Sequence, residues 1–184
     1  MAHHGYRYFY LYWSSVRAKG KAGYAGVAIF SRIKPEFVIA GVGDDALDKH
    51  ARVLTTKFAK FILVLTYSPN AGGFGDPRDL DTKIAFNKAL ATKISGLRTN
   101  YSGIPLMLGG DLNTAPRPCD WDRRAYQMVT NKKFDPTEFY PGIGAEEVAS
   151  HNALCRSFTA IDVWIHFNNA NPGGFTWWTR RLTP

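Results

Sequence analysis

"FILVLTYSPNAGGFGDPRDLDTKIAFNKALATKISGLRTNYSGIPLMLGGDLNTAP", residues 61–116, is the stretch on which the fold turns. It opens with a short run, 61–67, rich in β-branched and aromatic residues, which reads as a strand. From Pro77 the period changes. Phe86, Leu90, Ile94 and Leu97 fall on one helical face, interrupted by Lys93, with Pro77, Asp79 and Asp81 at its start. A second strand, 104–110, then runs into Gly109-Gly110 and the pair Asp111 and Asn113.

Upstream, "AGVAIF" (25–30), "EFVIAGV" (36–42) and "ARVLTTKF" (51–58) also read as strands. Only Ala59-Lys60 separates 51–58 from 61–67, which predicts a tight hairpin. Downstream, an irregular basic and aromatic segment runs to about 141. A helix over roughly 145–158 follows, with Val148, Asn152 and Cys155 along one side, and the closing "DVWIHF" (162–167) reads as a strand. Strands, then helix, strand, helix and strand predict a mixed-sheet α/β protein with helices outside. No repeat, low-complexity tract or linker divides the chain, so 1–184 is expected to form a single domain.

Composition narrows the function classes. With 184 residues, 45% of them hydrophobic and 21% charged, the chain has the make-up of a globular domain rather than a disordered one. No apolar run approaches a membrane span, and the aromatic start "MAHHGYRYFYLYW" lacks the pattern of a secretory signal. Two cysteines, Cys119 and Cys155, outside any CxxC, exclude a disulfide framework and favour a reducing, intracellular setting. The net charge of +8 points towards an anionic partner, most often nucleic acid.

Four segments carry candidate chemistry. Asp111 and Asn113 end a strand, where residues i and i+2 share a side and the preceding glycines permit close approach; an Asx-turn is the plain alternative. In "TYSPNAG", 66–72, Tyr67 and Asn70 offer neutral donors to a phosphate oxygen, or they merely flank a Pro-Asn turn. "GGFTWWTRR", 173–181, joins aromatic rings to paired arginines, suited to a base or sugar; taken alone, an aromatic core strand with a solvated basic end is the plainer reading of the same letters. "KGKAGYAG", 19–26, offers backbone amides and lysines to a nucleic-acid strand, or is a solvated loop. His50, His151 and His166 lack ligand-like spacing.

In order, "YWSS", "GYAGVAIFSR", "GVGDDALDKHARV", "LTYSPNAG", "LMLGGDLNTAP", "DVWIHF" and "PGGFTWWTRR" resemble the exonuclease III class of AP endonucleases, within the endonuclease/exonuclease/phosphatase superfamily. The resemblance covers nearly the whole chain from about Tyr12. It implies a four-layer α/β sandwich, two mixed sheets packed face to face with outer helices, here without N- and C-terminal strands. It also implies Mg²⁺-dependent (or Mn²⁺-dependent) hydrolysis of the DNA phosphodiester 5′ to an abasic site, with 3′-repair activities in many members. On that resemblance Asp111 orients or deprotonates the attacking water and Asn113 helps to position it, both near the metal, while Tyr67 and Asn70 hold the scissile phosphate. Trp177 walls the abasic-sugar pocket with Trp178 behind it, Gly23 and Tyr24 grip the DNA backbone, and Arg181 reaches into the duplex.

The family's remaining metal carboxylates and its terminal Ser-Asp-His match nothing between residues 1 and 184, so a partial domain is expected. Ala51 stands where the family usually has Gly. Two readings follow. One is a partial DNA-repair endonuclease acting on abasic duplex DNA. The other is a catalytically inactive relative that binds nucleic acid or serves a larger assembly, which leaves enzymatic status open. On either reading, a protein partner or self-association is expected to cover open sheet edges.

Overall fold

The computed structural model describes residues 5–18, 21–130, 133–168 and 174–176. Its strands are β1 (Tyr8–Trp13), β2 (Arg17–Ala18), β3 (Lys21–Ala22), β4 (Gly26–Ser31), β5 (Phe37–Ala40), β6 (Val53–Lys57), β7 (Ile62–Tyr67) and β8 (Leu106–Asp111). Its helices are α1 (Asp45–Asp48), α2 (Leu80–Asn100), α3 (Arg123–Thr130), α4 (Ala145–Ser157) and α5 (Val163–Asn168), with a 3₁₀ turn at Pro118–Asp120. The chain forms two compact units, one of Met1–Pro69 and Ala85–Asn113, the other of Asn70–Ile84 and Thr114–Pro184.

The first unit holds the sheets. β5, β6, β7 and β8 are neighbours in that order, antiparallel except for the parallel β7–β8 pair. The expected hairpin closes with Phe58 N–H donating to Phe61 O at 2.9 Å. β1 and β4 form a separate antiparallel pair, and β2 with β3 a short hairpin. Val27 and Ile29 of β4 pack with Leu54 of β6, and Tyr10, Tyr12, Leu63, Leu65 and Tyr67 close around them. This is the face-to-face contact of two sheets.

Period-2 alternation turns Ile62, Val64 and Thr66 to the other face of β7, where they are fully buried. A parallel crossover lays its helix on the sheet, and α2 buries the expected Phe86, Leu90, Ile94 and Leu97. Each such side chain contributes about 1.5–3 kcal/mol when fully buried. Lys93 is half-buried on that helix, and burial pulls its ammonium below the usual lysine value while Asp48 pushes it back up.

The second unit is built differently. α4 buries Glu147, His151 and Leu154 rather than the expected row, since Val148, Asn152 and Cys155 lie beside that face and are only half-buried. Glu147 Oε2 accepts from Gly142 N–H at 2.7 Å, and Oε1 lies 4.0 Å from Lys83 Nζ, both side chains fully buried. Burial pushes the Glu147 carboxyl up, against the Gly142 N–H and Lys83, which pull it down.

Two expectations are corrected in this unit. The segment read as irregular to about 141 contains the 3₁₀ turn and α3. Asp122 starts α3, with Oδ1 accepting from Arg124 N–H at 2.8 Å, and this cap was hidden among basic residues. "DVWIHF" is not a strand but α5, started by Asp162, whose Oδ1 accepts from Ile165 N–H at 3.0 Å. A strand needs a pairing neighbour, and no described strand lies beside this segment in any sheet.

In the first unit, β1 is a strand that the sequence reading left unassigned, since its aromatics hide a clean alternation of half-buried and exposed positions. No helix among the described residues is long and apolar enough to cross a membrane.

Candidate functional site

The site is assembled where β7 and β8 end side by side. Their parallel register sets Tyr67 opposite Asp111. Gly110 makes this possible: its φ is +117°, and a Cβ there would lie 2.0 Å from the Thr66 carbonyl oxygen. Only glycine fits that pinch. Gly109, by contrast, has open space where a Cβ would stand.

Beyond the strands, two hydrogen bonds join the two ends and a third closes a turn within the second. Ser68 N–H donates to Asp111 O at 2.8 Å. Asn113 Nδ2 donates to Ser68 O at 2.8 Å, and Asn113 N–H donates to Asp111 Oδ1 at 2.9 Å. The last of these is an Asx-turn, and Asn113 adopts the left-handed conformation at φ +48°. The expectation that strand alternation aims Asp111 and Asn113 to one side is therefore corrected in its cause. Extended geometry stops at Asp111, and the turn sets the relation between the two side chains. Asp111 is exposed, whereas Ser68 is buried, its hydroxyl without a hydrogen-bond partner among the described residues.

Tyr67 has a second anchor. Arg52 Nη1 donates to Tyr67 O at 3.0 Å, Tyr67 N–H donates to Arg52 O at 2.8 Å, and the guanidinium sits 4.9 Å from the Tyr67 ring centre. The same guanidinium lies 5.8 Å from the Tyr24 ring, whose hydroxyl bonds His50 Nδ1. Burial, with Arg52 and Lys49 adding to it, pulls the His50 imidazole below its ordinary value, which favours the neutral ring near pH 7. Residue-type reasoning missed Arg52 and His50. The signal was available in "KHARV", which forms the turn into β6, with Ala51 left-handed at φ +52° where the resemblance expects glycine.

Gly23, left-handed at φ +68°, and Tyr24 line a shallow depression of about 300 Å³ together with Trp13 and Tyr67. Thus the structure brings Gly23, Tyr24, Tyr67, Asp111 and Asn113 into the first unit. Asn70 opens the second unit, exposed, with Oδ1 accepting from Gly72 N–H at 2.9 Å. Trp177, Trp178 and Arg181 lie outside the described residues. Among the described residues, no three His, Cys, Asp or Glu side chains come together as a metal cage.

A model of the endonuclease/exonuclease/phosphatase family matches residues 1–184. The chain belongs to that family. Its relatives include a DNA-(apurinic or apyrimidinic site) endonuclease of Dictyostelium discoideum, 29% identical over 184 residues, covering 95% of this chain and 43% of the relative. An exodeoxyribonuclease of Bacillus subtilis is 29% identical over 175 residues, 94% of this chain and 61% of the relative. The chain therefore spans about half the length of these family members. An AP endonuclease structure from Archaeoglobus fulgidus superposes with a TM-score of 0.64 at 19% identity, over 92% of this chain and 57% of that one. The likeness shows the fold of that class, an α/β sandwich, as the family motifs had implied.

Proposed function

We propose that this chain carries the phosphodiester-handling part of a DNA-repair nuclease that acts on duplex DNA at abasic sites. The observation that carries the reading is the junction of Tyr67–Ser68 with Asp111–Asn113, held by parallel register and two hydrogen bonds, with an Asx-turn inside the second segment. It sets an exposed carboxylate beside a phenol on rigid strand ends, the usual place for ligands in α/β sheets. The shared depression of Gly23, Tyr24 and Tyr67, the +8 charge and relatives named as a DNA-(apurinic or apyrimidinic site) endonuclease and an exodeoxyribonuclease support a DNA substrate.

In this reading Asp111 takes a proton from the attacking water, or orients it, and Asn113 holds the carboxylate in place through the Asx-turn. The Tyr67 O–H donates to a phosphate oxygen, and the role of the Asn70 amide on the phosphate is carried by the family resemblance alone. Arg52 fixes the Tyr67 backbone and ring. By resemblance, Trp177 and Trp178 wall the sugar pocket and Arg181 enters the duplex.

A divalent ion, Mg²⁺ or Mn²⁺, fits in part. One exposed carboxylate with an amide nearby suits an ion that takes most of its ligands from water and phosphate, not one enclosed by protein. Asp111, with Asn113, would hold it, and it would supply charge stabilisation to the phosphate. The free Cys119 and Cys155 accord with work inside the cell. The exposed outer face of the β1–β4 sheet, with Phe9, Leu11 and Phe30, is in this reading covered by a protein surface, from a partner or a second copy.

The test is Mg²⁺-dependent incision of a labelled duplex with one abasic-site analogue, by the folded chain and by Asp111→Asn. The expected result is cutting that a chelator stops and the substitution lowers by about 10²–10⁴-fold. Equal cutting by both proteins would remove Asp111 from the mechanism. No cutting by the folded chain would confine it to binding.

A further inference from the structure

The turn that follows Asn70 carries a feature that the nuclease reading does not use. Gly73 and Asp76 pair as an isolated bridge, with Gly73 N–H donating to Asp76 O at 2.8 Å and Asp76 N–H to Gly73 O at 3.1 Å. Gly75 N–H donates to Phe139 O at 2.8 Å. At Gly72 (φ +137°) a Cβ would lie 2.1 Å from Asp76 O, so the backbone conformation is set by glycine. This fixed turn holds up one large side chain, Phe74, which is 59% exposed.

The ring does not stand alone. It meets Tyr126 at 5.2 Å and Tyr140 at 5.9 Å between centroids in tilted and edge-on contacts, both tyrosine rings buried. Trp121 and Phe134 extend the stack beneath, and the Arg123 guanidinium lies 4.6 Å from the Phe134 ring centre. Gly73 and Gly75 put no side chain beside Phe74, and the exposed Arg78 pairs with Asp76 of the same turn. A ring that served only to close this core would be buried with the others. Instead it stands exposed on a turn set by glycine, held at its edge by the Tyr126 and Tyr140 rings.

We infer that Phe74 is a stacking platform for a nucleobase that lacks its cross-strand partner, such as the base left opposite an abasic site. The inference rests on the DNA reading above and deepens it. Aromatic stacking on a base is tolerant of sequence and needs only one ring, and the net charge of +8 suits the phosphates of the same strand. A protein surface would call for a broader apolar patch than one ring between two glycines.

The experiment measures affinity of wild type, Phe74→Ala and Phe74→Tyr for two duplexes of equal length, one fully paired and one with 2-aminopurine opposite an abasic analogue. Phe74→Ala is expected to lose about 5- to 100-fold on the second duplex and to leave the fully paired affinity and its salt slope unchanged. Phe74→Tyr should restore the affinity, and 2-aminopurine fluorescence should be quenched by wild type and Phe74→Tyr only. Unchanged binding by folded Phe74→Ala, or an equal loss on both duplexes, would overturn this inference and leave the nuclease reading standing. So would loss of self-association in Phe74→Ala with both affinities intact, which would make the ring a protein contact. Wild type that binds neither duplex would overturn both readings.

Discussion

The two compact units hold themselves together by different means. The first relies on aliphatic alternation: Ile62, Val64, Leu90 and Ile94 are all but fully buried, with Leu63 and Leu65 turned to the opposite sheet. The second buries a lysine, a glutamate and a histidine on and around α4, and closes with a stack of aromatic rings. Apolar cores lose stability in steps as atoms are removed, whereas a buried ion pair fails abruptly when one charge is left alone. The difference predicts where each unit can be broken.

The largest effect is expected at Lys83. Lys83→Met leaves the Glu147 carboxylate buried without its cation and should cost about 3–5 kcal/mol, read as a lower midpoint in urea unfolding. Adding Glu147→Leu should recover part of the loss, because two apolar groups can replace a buried pair while the Gly142 N–H loses its acceptor. A single substitution that costs less than about 1 kcal/mol would show that the second unit does not depend on the pair.

A smaller but more local effect is expected in the first unit. Gly110→Ala forces a Cβ onto the Thr66 carbonyl and should cost about 1–3 kcal/mol, with the β7–β8 amides losing protection in hydrogen exchange. Gly109→Ala, where a Cβ meets open space, should stay near wild type. If the two neighbours behave alike, the pinch at Gly110 is not what joins the strand ends.

The mildest effect is a pH slope. Burial, aided by Lys83 and opposed by Asp162, pulls the His151 imidazole below its ordinary value. A depressed histidine gives stability that is present above the unfolded value of about 6.5 and is lost as pH falls through the folded value. Thermal midpoints should therefore fall on acidification from about pH 7, and His151→Phe should flatten that fall. An unchanged slope would mean that His151 titrates alike in both states.

The same contrast explains what the sequence could disclose. Strands β4 to β8 and helix α2 were legible because one residue type repeats at one period: Phe86, Leu90, Ile94 and Leu97 can be read as a buried face without knowing what they touch. On α4 the buried positions are Glu147 and His151, which by residue type belong to solvent, so the row was placed one position away on Val148, Asn152 and Cys155. The DVWIHF segment has strand composition, yet a strand is a relation between segments, and Asp162 as a cap decided for α5.

At the site, Asp111, Asn113 and Tyr67 were visible as polar residues ending apolar runs. Arg52 and His50 were not, because their roles arise from contacts across β6, β7 and the loop before β4. The Asx-turn lay in between. It was present in the letters as the plain alternative, and it is the turn that forms and sets the position of Asn113.

The central claim is that the ends of β7 and β8 form one phosphate-handling site. The most direct test is a titration of the isotope-labelled chain with a short duplex carrying an abasic analogue, in Mg²⁺, followed by amide resonances. The largest changes are expected at Tyr67, Ser68 and Asp111 to Asn113, with Gly23 and Tyr24 next, and their loss in Asp111→Asn. Binding that leaves those amides unmoved while others shift would contradict the claim.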